Sequence, residues 1–424
     1  MNDPALFPYR NPNLSNEARA EDLLARMNLD EKVAQLSAAW LAEVREEANF
    51  SPDKARTRVP NGIGQITRQA GGAPLSPEQA AQVTADLQTF LVANTRWGIP
   101  AMIHDECCSG YMARGATLFP QAIGLASTWD PDLVEQMTQT IRGQMRAAGV
   151  HHGLSPVLDV TRDPRWGRVE ETYGEDPYLA ARIGTSYVRG LQGDDLRTGI
   201  AATGKHFAAH GMPEGGLNWA RVQVSWREFR EVYLFPFEAA VKEAGLATMM
   251  NAYHELDGVP CGCSRELLTD ILRGEWGFTG IVASDYGTLP NLVDYHKVAA
   301  NKMEAAAMAL EAGLDLELPG TDCYGAPLME ALQTGRLKQE VLDEAVRRVL
   351  RIKFQLGMFE TPVVDPALTV NAYDGPESRA LSRQLARESL VLLKNEGGLL
   401  PLRPGLKTIA VIGPNADAIR HMAG

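Results

Sequence analysis

Asp285 directly follows the apolar run Ile281 to Ala283 and Ser284, and is itself followed by the aromatic Tyr286. A carboxylate emerging from a buried run in this way can meet an electrophilic carbon or stabilise a developing cation. Four other apolar runs end in polar residues. Ala101 to Ile103 leads to His104, Asp105 and Glu106; Leu154 to Leu158 leads to Asp159 and the segment Arg162 to Arg168. Ile200 to Thr203 leads to Lys205, His206 and Phe207, and Ala247 to Met250 leads to Asn251 and Tyr253. Such a set suits a sugar, whose hydroxyls need many charged hydrogen-bond partners and whose ring faces pack on aromatic or apolar groups. Cleavage of a glycosidic bond passes through an oxocarbenium-like state, and a carboxylate under the anomeric carbon serves that chemistry. Blander roles stay open for each residue. Asp285 could cap a loop, Lys205 with His206 could be a surface pair, and part of Arg162 to Arg168 could be a buried ion-pair loop. His151 and His152 are adjacent, so in a strand they point apart, which speaks against a shared metal ion.

These groups converge only if the elements that carry them form one ring. The runs named above, with Gly62 to Ile66 and Leu314 to Leu316, alternate with helical patterns. Asp130 followed by Pro131 opens one helix, and Ser225 with Glu228 reads as a capping box opening another. Pro236 is expected to kink that second helix. Further helices are expected at about 79–92, 177–191, 266–272, 303–310 and 338–354. Short, uniformly apolar strands separated by helices imply parallel pairing with both faces covered. The expected fold class is therefore α/β, a (β/α)8 TIM-like barrel, whose reactive groups sit where the strands end. An open sheet that binds a dinucleotide or phosphate is disfavoured, because no GxGxxG or P-loop follows any strand.

Composition narrows the partners. The chain has 424 residues, 45% of them hydrophobic, and a net charge of −12. That acidic balance disfavours nucleic acid and anionic membrane surfaces. No apolar stretch reaches the roughly 18 residues of a membrane-spanning helix. The five cysteines make neither a disulfide framework nor a zinc-binding spacing. The opening MNDPALFPYRNPNLS shows no signal-peptide pattern, so a cytoplasmic protein is expected unless a leader has been removed. No cofactor is called for, and homo-oligomerisation stays open.

The expected organisation is a catalytic barrel over residues 1–355 and a Pro- and Gly-rich linker over 356–406 that holds one helix, about 378–395. Residues 407–424 read as the start of a second domain, with Thr408 to Ile412 as its first strand.

Five ordered segments carry a resemblance. They are ATLFPQAIGLASTWD (Ala116 to Asp130), SPVLDVTRDPRWGRVEETYGEDPYL (Ser155 to Leu179), KHFAAHG (Lys205 to Gly211), MMNAYHELDGVPC (Met249 to Cys261) and WGFTGIVASDYG (Trp276 to Gly287). Together they resemble glycoside hydrolase family 3, the family of exo-acting β-glucosidases and β-xylosidases, from about Leu29 to the end of the chain. The resemblance implies retaining hydrolysis of terminal β-D-glycosyl residues, with Asp285 as nucleophile. It implies that Arg168, Lys205 and His206 hold sugar hydroxyls and that Glu106 grips the far ones. Tyr253 then stands beside the nucleophile, and Met250 and Tyr286 form pocket walls. A β-glucoside is the expected substrate, with a β-xyloside as the alternative.

Two departures matter. The family often has His before the glycine where this chain reads ECCSG, with Ser109. The acid/base glutamate of most members lies in a second, α/β sandwich domain, and no position here inherits it. The hexosaminidase branch uses a loop His, and Asn218 occupies the comparable position. Glu106 as general acid, and a catalytically impaired sugar-binding fragment, are therefore the alternatives to a full hydrolase.

Overall fold

The computed structural model describes residues 7–72 and 75–417. Seven parallel strands form one sheet: β1 (Ala38–Trp40), β2 (Gln65–Thr67), β3 (Met102–Asp105), β4 (His152–Gly153), β5 (Ala201–Phe207), β6 (Thr248–Asn251) and β7 (Ile281–Ala283). They pair in chain order, with Ala38 opposite Gln65, Gln65 opposite Met102, and Ala283 opposite Met250. The eighth place is taken by the segment 314–318, which bridges to the sheet as Leu316 opposite Ala283. Its Glu317 N–H donates to Leu36 O at 3.0 Å, and the ring closes beside β1.

Every residue of β3, β5, β6 and β7 is buried, as a sheet covered on both faces requires. The barrel interior is polar yet satisfied. Gln65 Nε2 donates to His152 Nδ1 at 2.7 Å, so His152 donates through Nε2 to the hydroxyls of Thr203 and Thr248, at 2.6 and 2.9 Å. Gln65 Oε1 accepts from His104 Nδ1 at 2.6 Å, leaving His104 Nε2 as acceptor for the Tyr286 hydroxyl at 2.8 Å. Burial keeps both imidazoles neutral, with His152 pushed down to about 3. His151 instead meets the backbone N–H of Ile103, so the two neighbours do point apart.

The outer helices begin where side chains can take their free N–H groups. Asp130 accepts from Leu133 N and Asp176 from Leu179 N, each with Pro in the first helical position. Ser225 accepts from Glu228 N, but the reciprocal arm of the expected box does not form; Glu228 faces Arg162 instead, at 3.6 Å. The expected kink before Pro236 is a π-helical turn, Phe229–Tyr233, after which a regular helix runs Phe235–Ala244.

Three expectations need correction. The run Leu154 to Leu158 is not a strand; the ladder is shorter, at His152–Gly153, with one bridge from Val157 to Lys205. Pro156 offers no N–H to a ladder. The linker helix spans Pro376–Glu388 rather than reaching Asn395. It rests on the barrel through Leu385 and a bond from Ser382 Oγ to Leu118 O. Thr408 to Ile412 forms no strand, and Ile409, Val411 and Ile412 are exposed. A lone run without a neighbour has nothing to satisfy its N–H and C=O groups. All five cysteines are free thiols. No helix among the described residues is long and apolar enough to cross a membrane.

Candidate active site

Asp285 is carried into the barrel mouth by β7. Ser284 N–H donates to Leu316 O and Asp285 N–H to Asn251 Oδ1, so the turn after the strand is tied on both sides. One carboxylate oxygen, Oδ1, accepts from the Tyr253 hydroxyl at 2.8 Å and from the Tyr286 N–H at 2.7 Å. The other, Oδ2, is buried and has no hydrogen-bond partner among the described residues. His206 Nε2 lies 3.6 Å from it. Burial raises the carboxyl above its usual range, while Arg168, Lys205 and the Tyr253 hydroxyl pull it back down. The two oxygens thus differ: Oδ1 is anchored by two donors, and Oδ2 has no hydrogen-bond partner among the described residues.

His206 is held from below. Asp159 Oδ2 accepts from both His206 N, at 3.0 Å, and His206 Nδ1, at 2.8 Å, and Asp159 Oδ1 accepts from His210 N at 3.2 Å. A guanidinium is always a donor, and Arg168 Nη2 lies 2.9 Å from His206 Nε2. The imidazole is therefore neutral, with its proton on Nδ1, and its pKa lies well below the usual value because burial and Arg168 disfavour a second charge. Arg168 is gripped in turn by both oxygens of Glu171, each at 2.8 Å.

On the far side of the mouth, Glu106 is clamped by two cations. Lys205 Nζ lies 2.9 Å from Oε2 and Arg68 Nη2 lies 2.6 Å from Oε1. Burial alone would raise Glu106, but Lys205 and Arg68 hold it below the usual range. Arg68 also donates through Nε to the Tyr286 hydroxyl at 3.2 Å and sits over that ring. Met250 is buried in β6, on the same strand face as Thr248, and so points into the barrel.

A cavity of about 640 Å³ opens over these groups, within the usual range for small-molecule sites. Arg68, Glu106, Arg168 and Lys205 line it, with the 108–118 loop forming the outer wall. Asp285 is not part of that lining and joins it through Arg168 and His206. Three cations (Arg68, Arg168, Lys205) stand against three carboxylates (Glu106, Glu171, Asp285), so the balance suits a neutral ligand rich in hydroxyls.

Asp285, Glu106, Arg168, Lys205, His206, Met250, Tyr253 and Tyr286 all lie on the barrel strands or on the loops that follow them. Two were missed. Arg68 follows β2 directly, and the strand-end rule that picked Glu106 would have found it. Asp159 stood among the strand-end residues, but its hold on His206 spans 47 positions and leaves no local signal. Among the described residues, no group of three or more His, Cys, Asp or Glu is placed to share a metal ion.

Residues 28–352 match the family model described as the glycosyl hydrolase family 3 N terminal domain. The chain belongs to glycosyl hydrolase family 3. A family 3 relative named β-xylosidase, from Formosa agariphila, is 39% identical over 82% of this chain and 50% of its own length. A periplasmic β-glucosidase from Salmonella typhimurium is 33% identical over 98% of this chain and 53% of its own. Among solved structures, a β-glucosidase from Erythrobacter marinus superposes with a TM-score of 0.89 at 38% identity, covering 94% of this chain and 53% of that one. A β-glucosidase from Listeria innocua in complex with glucose superposes with a TM-score of 0.81 at 34% identity, covering 91% and 53%. The chain spans about half the length of these family 3 proteins.

Proposed function

We propose that this protein is the barrel of a retaining, exo-acting β-glycosidase that takes terminal non-reducing β-D-glucosyl residues. The observation that carries the reading is the split environment of Asp285: Oδ1 held by Tyr253 and Tyr286, Oδ2 buried and unpartnered. In the first displacement Oδ2 attacks the anomeric carbon, the bond to the leaving oxygen breaks, and a glycosyl ester forms on Asp285. In the second, water attacks the same carbon from the opposite face and releases the carboxylate, so configuration is retained. Arg168, His206, Lys205 and Glu106 bind the sugar hydroxyls, and Met250 and Tyr286 form the apolar walls.

The clamp on Glu106 argues against its serving as the general acid. A carboxylate held ionised by Lys205 and Arg68 has no proton to give, whereas it is well suited to accept from hydroxyls. A β-xyloside is the second reading, supported by the xylosidases among the relatives.

A 2-deoxy-2-fluoro glycoside with a dinitrophenyl leaving group tests the assignment. Mass spectrometry of peptides should place the trapped sugar on Asp285, and a label on any other residue overturns it. Parallel glucoside and xyloside reagents decide between the two sugars by the faster labelling.

A further inference from the structure

The loops after β5 and β6 enclose a second cavity, of about 810 Å³, which shares no lining residue with the one over Glu106 and Lys205. Its floor is a small ladder. Glu255–Leu256 pairs antiparallel with Val259–Pro260, and Val222 bridges to Leu256 and donates its N–H to Glu255 O at 3.1 Å. Asp257 and Gly258 join the hairpin with φ of 49° and 82°, the two-residue turn that suits twisted strands. The lip is therefore held by backbone geometry, and a ligand meets a surface already ordered.

The lining combines apolar surface with unpaired acceptors. Phe229 and Leu267 supply buried apolar surface, while Val259 is 47% exposed and Trp226 49%. Trp226 is steadied: Arg230 sits 5.0 Å from its ring centre and donates to both oxygens of Glu275, at 2.8 and 2.7 Å. An indole held in place with half its surface open is not explained by core packing. Glu255 also lines the cavity, and its Oε2 is buried without a hydrogen-bond partner among the described residues. A buried acceptor left unpaired is rare and calls for a donor. Gln223 and Asp257 add exposed polar side chains to the same lining.

The cations there have partners of their own. Arg221 donates through Nε to Glu214 Oε2 at 3.0 Å, and Arg265 lies 3.6 Å from Asp270. What remains is a set of acceptors beside an open indole. That disfavours an anion and suits a ring with hydroxyl donors on its edge and C–H groups on its faces, which is a pyranose. The linker helix Pro376–Glu388 rests on the loop at Leu118 and on the helix Pro131–Ala147, both after β3, and so leaves this side of the barrel uncovered.

We propose that this cleft is a second saccharide-binding site, which holds a pyranose unit of a β-linked oligosaccharide outside the mouth that contains Asp285. Trp226 stacks on the sugar face, and Glu255 and Gln223 take its hydroxyls. The test is hydrogen–deuterium exchange read by mass spectrometry on the full Asp285→Asn chain, so that the probe is not consumed. With cellotetraose or xylotetraose added, peptides covering 221–230 and 255–267 should gain protection. Adding Trp226→Ala or Glu255→Gln should raise the sugar concentration needed there about tenfold, the worth of one aromatic contact or one charge-assisted bond. Protection of peptides around Glu106 and Lys205 should keep its concentration dependence, and Trp226→Phe should restore most of the loss in the cleft. Cleft protection that is missing in the parent chain, or that Trp226→Ala leaves untouched, overturns the second site while the glycosidase reading stands. An equal loss at cleft and mouth in both variants overturns it as well. Protection confined to the cleft supports this site and counts against the glycosidase reading.

Discussion

Asp159 holds His206 at two points, the backbone N–H and Nδ1, and thereby turns Nε2 into the acceptor that Arg168 needs. Burial pushes the Asp159 carboxyl up to about 7, although the His206 and His210 N–H groups and Arg168 act to lower it. Sugar affinity should therefore weaken as pH falls through 7, because a neutral acid accepts the Nδ1 proton more weakly than a carboxylate does. Asp159→Asn should bind about 10- to 100-fold more weakly at alkaline pH, from the loss of a charge-assisted bond, and should lose the pH step. Calorimetric titration with glucose across that pH checks both. Stability follows the opposite sign. A carboxyl raised from about 4 in the unfolded chain contributes stability fully below that pH, and the contribution disappears as pH rises through 7. Across this window the denaturant midpoint of the native protein should fall relative to that of Asp159→Asn as pH rises.

Tyr253 anchors Asp285, the proposed nucleophile. Tyr253→Phe removes the 2.8 Å bond to Asp285 Oδ1 and leaves the ring in place. A bond to a charged group contributes about 1.5–3 kcal/mol, so turnover of an activated aryl glycoside should fall about 10- to 100-fold. The hydroxyl also helps to lower the Asp285 pKa, so the acid limb of kcat/KM should move to higher pH in the variant. A limb that stays put contradicts the assignment of Asp285 as the titrating nucleophile.

Leaving-group dependence probes the proton donor. With Glu106 held ionised by Lys205 and Arg68, the mouth offers that carboxylate only as an acceptor. The chain should cleave dinitrophenyl glycosides, and be slower on alkyl glycosides by more than their intrinsic reactivity accounts for, by about 10²- to 10⁴-fold, the usual worth of proton donation. Adding azide or formate should not rescue the alkyl substrates, since proton donation to the leaving oxygen is needed before the glycosyl ester forms. Equal rates on both classes contradict the reading of Glu106.

Asp315 organises the wall behind the strand that carries Asp285. It is fully buried, accepts from Arg273 Nη2 at 2.7 Å and Arg348 Nε at 2.8 Å, and also takes the N–H of Val282 in β7 at 2.8 Å. Asp315→Ala leaves two nearly buried guanidinium groups and a strand N–H without their partner. A loss of about 3–5 kcal/mol is expected, read as a lower denaturant midpoint.

Much of this arrangement was legible before any coordinates. Asp285, Lys205 and Glu106 each follow an apolar run closely, and in a ring of parallel strands that position leads to the mouth. Local patterns failed where the cause was distant. β1 is only three residues long and begins shortly after a helix ends, too short for an alternating pattern to stand out. The run Thr408 to Ile412 has a strand's composition but no neighbour to pair with. Arg68 and Glu106 are 38 positions apart, and an ion pair of that span leaves no periodicity. The cluster of Tyr253, Trp219 and Tyr295 was invisible for the same reason, since it exists only once three segments meet.

The ring is fastened unevenly. Neighbouring strands elsewhere share backbone ladders, but the joint between the eighth segment and β1 has a single amide link, Glu317 to Leu36, and otherwise relies on the hydroxyls of Ser37, Thr67 and Thr321 reaching across to carbonyls. Such a joint can loosen one contact at a time, whereas a ladder opens as a unit. The cylinder thus has a pliable side, one strand away from Asp285, and amide deuteration should proceed faster there than along β5 or β6.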